Sequence, residues 1–299
     1  GAFVRDDQGP CLEQFWDGWG AHLDFTRDGD RAWWQRGLQQ QILDVGIDVG
    51  WNDNNEYEIW GERAVVHGFG HTLPMPRARS LQALLMTRAT FDQQARHHPD
   101  ERIYTLTRGG PPGLQRYAQT WTGDNSTSWH TMRWNQRMAL TMSLSGMFNT
   151  GHDIGGFDGP VPDAEMLIRW TQACCLVPRM IMNSWKADGS VNTPWLHPEA
   201  TATIRAAVAL RLKLMPYLYT LLWRATREHV PVLRPTCFDF GDDATTWHDN
   251  DEMMVGPDLL AAPVFEPGAR KRSVYLPRTP HGWFDWWNGA HHHGGQRVE

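Results

Sequence analysis

The chain has 299 residues, of which 41% are hydrophobic and 21% charged, and its formal charge at neutral pH is −6. This length accommodates one large domain or two ordinary ones, and the composition excludes collagen-like and low-complexity chains. The acidic balance argues against a nucleic-acid binder, and no apolar run reaches the roughly 18 residues needed to cross a membrane. Tryptophan is unusually frequent, with 17 copies. Such an excess is typical either of a heavily packed core or of a site that stacks sugar rings.

The predicted elements alternate between helix and strand up to residue 229. Helical spacing of apolar residues predicts helices over residues 30–46, 81–95, 129–144, 165–176 and 201–228, the last bent or broken near Pro216. Short apolar runs predict strands over residues 47–51, 103–107, 117–121 and 146–149. A polar or glycine-rich loop follows each strand. This order predicts a parallel α/β sheet or a barrel, in which the loops after the strands form the catalytic face.

The pattern changes after residue 230, where short apolar runs are separated by Gly, Pro and Asp. These runs cover residues 230–240, 253–255, 259–265 and 274–276. They predict the beginning of an all-β domain of the β-sandwich type. We therefore expect a barrel domain over residues 1–229 and the start of a C-terminal domain over residues 230–299.

The cysteines fit neither a zinc site nor a disulfide framework, because two are adjacent and the others are far apart. They are Cys11, Cys174, Cys175 and Cys237. We expect reduced, mostly buried thiols and no metal or other cofactor. The first residues, Gly-Ala-Phe-Val, carry no signal-peptide pattern. This leaves the cellular location unknown, with a slight preference for the cytoplasm.

Two aspartates stand beside tryptophans at the ends of predicted strands. Asp53 follows Trp51, Asp124 follows Trp121, and a third acid, Asp153, lies in a glycine-rich loop. Paired carboxyl groups beside aromatic platforms suit the cleavage of glycosidic bonds. One carboxylate attacks or stabilises the cationic sugar carbon, and the other group protonates the leaving oxygen. The residues alone leave open that these aspartates only cap helices and order loops.

Six segments, in this order along the chain, resemble glycoside hydrolase family 31, which contains α-glucosidases and α-xylosidases. The segments are WNDNNE at 51–56, RYAQTWTGDNS at 116–126, GHDIGGF at 151–157, RWTQ at 169–172, LRLKLMPYLY at 210–219 and GPDLLAAPV at 256–264. The resemblance implies a retaining α-glycosidase that hydrolyses α-linked glucosides or related sugars by double displacement, without a metal or cofactor.

The resemblance also implies roles for individual residues. Asp53 corresponds to the nucleophile that forms a covalent glycosyl–enzyme intermediate, and Asp124 to the general acid/base. In a retaining enzyme two such groups lie about 5–5.5 Å apart. The implied substrate-binding residues, which contact the sugar or line its pocket, are Trp51, Arg108, Trp121, Asp153, Phe157 and Asn183, and Glu56 is expected to orient the nucleophile loop.

The chain departs from the family pattern at two positions. Asn183 stands where members usually carry His, and Thr193 stands where they usually carry Glu. In this family the nucleophile follows the fourth barrel strand. We therefore expect the later half of a (β/α)8 TIM barrel, from strand 4 onward, followed by the start of the all-β domain.

Several alternatives stay open at this point. The protein could act as an α-xylosidase, an α-galactosidase or a transglycosylase, or be a non-catalytic fragment that folds and self-associates. Expected partners are a carbohydrate substrate but no nucleic acid and no membrane, and homo-oligomerisation is left open. Outside the implied site, we expect hydrogen-bonding or loop roles for His67, His71 and His152, and packing roles for Trp33, Trp34, Trp283, Trp286 and Trp287.

Overall fold

The computed structural model describes residues 2–248 and 251–299. The chain divides into two compact units, Gly1–Thr120 (unit 1) and Trp121–Glu299 (unit 2). The predicted boundary at residue 229 separates a barrel domain from an all-β domain, whereas these units are distinguished by their compactness. That boundary therefore stays a prediction. In the part of the chain that is described, no helix combines the length and the apolar character needed to span a membrane.

Unit 1 contains short strands around two α-helices. The strands are β1 (Leu12–Phe15), β2 (Gly18–Ala21), β3 (Gly50–Asn52), β4 (Val65–Val66), β5 (Leu73–Pro74) and β6 (Thr105–Thr107); the helices are α1 (Asp28–Leu38) and α2 (Met75–His97). A π-helical turn, Gln39–Leu43, continues α1, and two short 3-10 turns cover Gly68–Gly70 and Leu114–Arg116. Strands β1 and β2 pair antiparallel, as do β4 and β5, whereas β3 and β6 pair in parallel.

Polar side chains of α2 hold the helix against the parallel pair. The Thr90 hydroxyl donates to Asn52 Oδ1 (3.0 Å), and the Thr105 hydroxyl donates to Gln94 Oε1 (2.6 Å). A Cβ atom on Gly50 would lie 2.7 Å from the Thr90 methyl group, so the helix packs closely on β3. This packing fixes the carboxyl ends of β3 and β6, from which the chain continues into Asp53 and Arg108.

Unit 2 combines a second parallel strand pair with small antiparallel sheets. Its strands are β7 (Gly151–Asp153), β8 (Arg179–Ile181), β9 (Leu233–Arg234), β10 (Met253–Val255), β11 (Leu259–Ala261), β12 (Val274–Leu276), β13 (Trp283–Phe284), β14 (His291–His292) and β15 (Gln296–Val298). Its helices are α3 (Trp129–Leu144), α4 (Ala164–Cys174), α5 (Thr201–Glu228) and α6 (Thr236–Asp239), with a 3-10 turn at Ala244–Trp247.

The strand pairings form separate small sheets. In unit 2, β7 and β8 pair in parallel, β11–β10–β9 form an antiparallel sheet, and β12 pairs with β15 and β13 with β14. Within residues 2–248 and 251–299 the pairings do not close into a barrel. In both parallel pairs a helix separates the strands along the chain, α2 in unit 1 and α4 in unit 2. The α/β pattern predicted from the alternation is therefore present in each unit.

Side-chain caps and a common core determine where the unit 2 helices begin and run. Ser128 Oγ accepts from the Thr131 N–H at the start of α3, and Asp163 Oδ1 accepts from the Met166 N–H at the start of α4. Helix α5 has the bounds predicted from the sequence, and of the predicted bend or break near Pro216 the break is wrong, since one helix runs through the proline. Buried residues on both sides of Pro216 pack into the same hydrophobic core, which holds the helix together: Ile204, Leu214, Leu218 and Leu221.

Three strand predictions need correction. Residues 146–149 do not form a strand: Gly146 has φ 89°, typical of a turn, and the strand is β7, inside the segment predicted as a loop. Residues 117–121 contribute only an isolated bridge from Gln119 to Leu106. Residues 230–240 contain the two-residue β9 followed by helix α6, so the predicted all-β segment is interrupted at its start.

Several tryptophans expected to pack are exposed instead. Trp33, Trp286 and Trp287 are 57%, 56% and 79% exposed, whereas Trp34 packs against Phe25 and donates its indole N–H to the Thr90 hydroxyl. The expectation for the cysteines agrees with the structure: the four thiols are free, and Cys11, Cys174 and Cys175 are buried.

His152 of β7 faces the core of unit 2. Its Nδ1 accepts from the Trp170 indole N–H (2.7 Å), and Cys174 Sγ lies 3.4 Å from both ring nitrogens. Burial, with a further contribution from Arg179, lowers the pKa of His152 to about 3. The imidazole is therefore neutral near pH 7 and, because Nδ1 accepts, carries its proton on Nε2. This is the hydrogen-bonding role expected for the residue.

Gly151 should tolerate no side chain. A Cβ atom there would lie 2.0 Å from the Arg179 carbonyl oxygen on β8, so Gly151→Ala must push two paired strands apart. We expect a loss in the free energy of unfolding of about 1–3 kcal/mol or more, measured by urea denaturation. Gly37→Ala in α1, where the added methyl meets no atom within 4 Å, is the control and should stabilise by about 0.5–1 kcal/mol. Equal stability of wild type and Gly151→Ala would contradict the close strand approach.

The buried neutral His152 should make stability depend on pH. Between about pH 3 and the ordinary histidine value of 6.5, the unfolded chain binds a proton that the folded chain does not. Stability arising from this group is therefore present above pH 6.5 and lost as the pH falls toward 3. We expect the difference in free energy of unfolding, wild type minus His152→Gln, to grow as the pH rises from 4 to 6.5. A difference that does not change with pH would contradict the assignment.

Candidate active site

Arg108, directly after β6, gathers the acidic loop that follows β3. Its Nη1 lies 3.0 Å from Asp53 Oδ1, its Nε donates to Glu56 Oε1 (2.6 Å), and its Nη2 donates to Glu56 Oε2 (3.1 Å) and to Asn54 Oδ1 (2.5 Å). The Arg108 backbone N–H donates to the Asn52 carbonyl (3.0 Å). Two-point pairing of a guanidinium with a carboxylate fixes direction as well as distance. Glu56 therefore orients Arg108, and Arg108 in turn holds Asp53.

The backbone of this loop is held in an uncommon shape. Asn54 and Tyr57 have φ values of 50° and 56°, in the left-handed region that non-glycine residues rarely occupy. Asn55 locks the loop to the chain after β6, because its Nδ2 donates to the Thr107 hydroxyl (2.8 Å) and its Oδ1 accepts from the Gly109 N–H (2.8 Å). Such strain persists where the surroundings enforce it, and it is frequent at functional sites.

The side chains of this loop are accessible to different degrees. The Asp53 side chain is 45% exposed and that of Arg108 18%. Trp51, on β3 opposite Leu106, is 43% exposed. Unit 1 thus presents an anchored carboxylate to solvent, with an aromatic side chain two residues earlier in the chain.

Asp153, at the end of β7, is the buried acid of unit 2. Its Oδ1 lies 3.3 Å from Arg179 Nη1, and its Oδ2 accepts from Asn183 Nδ2 at 3.5 Å. Burial raises the pKa of Asp153 to about 6; Arg179 and Asn183 lower it only in part, and Asp124 raises it further. Burying the charged carboxylate therefore costs free energy that the contacts with Arg179 and Asn183 do not fully offset.

Trp121 and Asp124 begin unit 2 and differ in burial. Trp121 is 4% exposed, and the Arg179 guanidinium carbon lies 5.5 Å from the centre of its ring, a cation–π contact. The Asp124 side chain is exposed. The next residue, Asn125, folds the loop back through Nδ2 donations to the Thr122 carbonyl and hydroxyl, both at 2.8 Å.

The loops after Asp124 and after Asp153 run side by side. The N–H groups of Phe157 and Asp158 both donate to the Asn125 carbonyl (2.8 and 3.2 Å). The N–H of Thr127 donates to the Asp158 carbonyl (2.9 Å). Phe157, half-buried, also accepts through its carbonyl from the Trp185 N–H. The segment that carries Asp124 is therefore anchored to the glycine-rich segment that follows Asp153.

The structure groups the residues implied by the resemblance into two sets. Unit 1 brings together Asp53, Glu56 and Arg108, with Trp51 on the adjoining strand, and unit 2 brings Asp153 together with Asn183. Sequence reasoning missed the polar side chains that support these sets: Asn54, Asn55, Arg179, Lys186 and Asn192. Asn54 and Asn55 lie inside the WNDNNE motif, where an Asn–Asn pair signals left-handed backbone. The other three gave no signal, because their partners are distant in sequence.

No metal centre is apparent in the part of the chain that the structure describes, where no three His, Cys, Asp or Glu side chains are placed to hold an ion. The arrangement instead offers carboxylates held by guanidinium and amide groups. Such groups can attack a carbon, exchange protons or bind hydroxyl groups.

Comparison with known proteins gives a consistent result along the whole chain. The sequence profile of the glycosyl hydrolases family 31 TIM-barrel domain matches residues 1–221, and that of the family's C-terminal domain matches residues 229–299. Alpha-glucosidase 2 of Bacillus thermoamyloliquefaciens is 33% identical over 290 residues, covering 95% of this chain and 36% of that protein. Neutral alpha-glucosidase C of Homo sapiens is 32% identical, covering 100% of this chain and 34% of that protein. The chain thus spans about a third of the length of these relatives.

Solved structures agree with the sequence matches. A family 31 dextranase of Flavobacterium johnsoniae, complexed with glucose, superposes with a TM-score of 0.91 at 27% identity, covering 100% of this chain and 38% of that one. A family 31 α-xylosidase from a soil metagenome, complexed with xylose, gives 0.90 at 28% identity, covering 100% and 47%. With a family profile over most of its length and relatives above 30% identity, the chain belongs to glycoside hydrolase family 31.

Proposed function

We propose that the chain carries the catalytic groups of a retaining α-glycosidase that hydrolyses α-linked glucosides or related sugars. The observation that carries the proposal is the anchored carboxylate of unit 1: Asp53 is held 3.0 Å from Arg108, which Glu56 orients from its other side. An accessible carboxylate with a fixed direction is what nucleophilic attack on a sugar carbon requires. Relatives named alpha-glucosidase support the α-glycoside as substrate class.

In this proposal Asp53 attacks the anomeric carbon and forms a covalent glycosyl ester, while the leaving oxygen takes a proton from Asp124. Water then attacks the anomeric carbon, the bond from that carbon to Asp53 breaks, and Asp124, now a base, takes a proton from the water. The exposed Asp124 side chain on a loop anchored by Asn125 suits a group that must reach both the leaving group and water. With a second sugar in place of water the same steps give transglycosylation. Analysis of the products therefore distinguishes hydrolysis from transglycosylation.

The remaining residues bind the sugar. Asp153 and Asn183 supply an acceptor and an amide for its hydroxyl groups, and Arg108 donates hydrogen bonds beside Asp53. Trp51 and Phe157 offer apolar surface to the sugar ring. Trp121 is nearly buried and contacts the Arg179 guanidinium, so we assign it to supporting Arg179 as well as to the pocket wall.

We further propose that the two parallel strand pairs belong to the later half of a (β/α)8 barrel. Support comes from the helix between the strands of each pair, from acidic loops after β3 and β7, and from the match of the TIM-barrel profile to residues 1–221. Asp53 and Arg108 follow the carboxyl ends of β3 and β6, and Asp153 is the last residue of β7, as in barrel enzymes. The experiments below therefore use this chain and, in parallel, a longer natural polypeptide that contains it.

Chemical rescue by azide tests the two carboxyl roles separately. Asp53→Ala and Asp124→Ala should each lower kcat/KM toward phenyl α-glucoside by about 10²–10⁴-fold or more. With dinitrophenyl α-glucoside, which leaves without a proton, azide should rescue both variants. Asp53→Ala then yields the β-glucosyl azide, from direct attack on the opposite face, and Asp124→Ala the α-glucosyl azide, from attack on the intermediate.

Asp100→Ala, at an exposed aspartate of unit 1, is the control and should behave as wild type. Exchange of the two azide products would reverse the assigned roles, and full activity in either variant would exclude that carboxyl group. A panel of aryl α-glucoside, α-xyloside and α-galactoside identifies the preferred sugar.

Asp153→Asn should separate function from stability. Because the folded pKa is raised to about 6, ionisation of Asp153 lowers stability as the pH rises from 3.8 to 6. The uncharged amide lacks this cost, so the unfolding temperature of the variant relative to wild type should rise across that window. Replacement of the charged acceptor for sugar hydroxyls by a neutral amide, in which a donor takes the place of one oxygen, should lower kcat/KM by about 100-fold. Asp242→Asn, at an exposed aspartate, serves as control; a relative unfolding temperature that falls with pH would contradict the sign.

A further inference from the structure

Lys186 is a buried lysine that the proposed mechanism does not use. Its side chain is 3% exposed, and its ammonium group donates to the Thr127 hydroxyl (2.5 Å), the Gly156 carbonyl (3.0 Å) and the Asp158 carbonyl (3.0 Å). A lysine ammonium has three N–H donors, so these three acceptors match its capacity. Burial lowers the pKa of Lys186, and Asp158 and Asp188 oppose this effect.

The three acceptors lie on the two loops that carry candidate catalytic groups. Thr127 follows shortly after Asp124, whereas Gly156 and Asp158 belong to the glycine-rich loop after Asp153. Because the ammonium contacts both loops at once, it acts as a cross-link. No other single side chain among the hydrogen bonds described for residues 2–248 and 251–299 donates to both loops.

The glycine-rich loop depends on such donors to keep its shape. Gly155 and Gly156 have φ values of 86° and 82°, and a Cβ atom on Gly156 would lie 2.5 Å from the Thr127 hydroxyl oxygen. The turn therefore directs buried carbonyl groups inward, where they need partners. The Thr127 hydroxyl donates to the Gly155 carbonyl (2.7 Å), and Asn192 Nδ2 donates to the Gly156 carbonyl (2.8 Å). The Lys186 ammonium adds donors to the Gly156 and Asp158 carbonyls of the same loop.

The contacts of Lys186 indicate a geometric role. Its ammonium bonds to a hydroxyl and two carbonyls, so the cost of burying the charge is offset by neutral acceptors. All three N–H donors of the ammonium are used by protein acceptors, which leaves none for a substrate. A methionine of similar length would fill the same space without any donor, which makes Lys186→Met a direct probe of the cross-link.

We propose that Lys186 is a positioning residue: by tying the Asp124 loop to the Asp153 loop it fixes the direction in which the Asp124 carboxyl group donates its proton. This inference rests on the proposed function of Asp124 as the general acid/base. It assigns to Lys186 an effect on proton donation to the leaving group and none on the attack by Asp53.

A leaving-group series isolates that effect. Phenyl α-glucoside needs a proton from the enzyme as its bond breaks, whereas dinitrophenyl α-glucoside does not. Lys186→Met should lower kcat/KM for the phenyl substrate by about 10²-fold, the size of a general-acid contribution, and leave that for the dinitrophenyl substrate nearly unchanged. Lys213→Met, which removes an exposed ammonium on α5, should change neither value.

Thr127 supplies a second probe in case Lys186→Met does not fold. Thr127→Val removes one arm of the cross-link and should give a smaller loss of the same selective kind, whereas Thr127→Ser, which keeps the hydroxyl, should restore the wild-type pattern. A loss that is equal for both substrates in the Lys186 and Thr127 variants overturns the proposal, as does a Thr127→Val enzyme with the wild-type pattern.

Amide hydrogen exchange tests the cross-link without requiring activity, so it distinguishes a failure of this inference from a failure of the proposed function. Lys186→Met should speed exchange at the N–H groups of Thr127, Phe157 and Asp158 relative to Lys213→Met, whether or not the protein cleaves glycosides. Unchanged exchange would overturn the cross-link. Absence of wild-type activity on every glycoside, with faster exchange in the variant, would instead overturn the proposed function and with it the catalytic part of the inference.

Discussion

The close approach of β7 to β8 is the constraint on which the polar site of unit 2 depends. Gly151 pairs with Arg179 at a separation that leaves no room for a Cβ atom, so the register of the two strands is fixed at one backbone contact. Successive side chains on a strand point to opposite faces. His152 is therefore directed to Trp170 in the core and Asp153 to the Arg179 guanidinium. If the register of β7 shifted by one residue, the Asp153 carboxylate would lie in the core, where the neutral His152 now lies.

Both units hold their candidate carboxylates with cations that have further contacts. In unit 1 Arg108 is oriented by Glu56 before it reaches Asp53. In unit 2 the Arg179 guanidinium lies over Trp121 and beside Asp153. Neither arrangement consists of a simple ion pair, because in each the cation has a second contact that limits its movement. Sites held in this way keep their geometry without large local reorganisation during a reaction.

The positions of Asp53 and Arg108 could be anticipated, because polar residues after predicted parallel strands gather at one edge. Strand β7 could not, since Gly-His-Asp lacks the β-branched and aromatic residues that signal a strand, and it pairs only because Gly151 permits close contact. Helix α5 has the predicted bounds, but it is not broken at Pro216, because core packing on both sides of the proline outweighs its local effect. The contacts of Lys186 could not be predicted either, because its three hydrogen-bond acceptors lie far from it in sequence.

Two neighbouring residues of β7 have pKa values displaced in opposite directions, to about 3 for His152 and to about 6 for Asp153. As the pH falls from 6 toward 4, proton uptake favours the unfolded chain at the histidine and the folded chain at the aspartate. The two contributions to the pH dependence of stability therefore oppose each other over this range. Alone, His152 would lower stability as the pH falls, and Asp153 would lower it as the pH rises. The strand thus compensates its own titration: the contributions of these two groups to stability largely cancel across the mildly acidic range while the carboxylate changes charge.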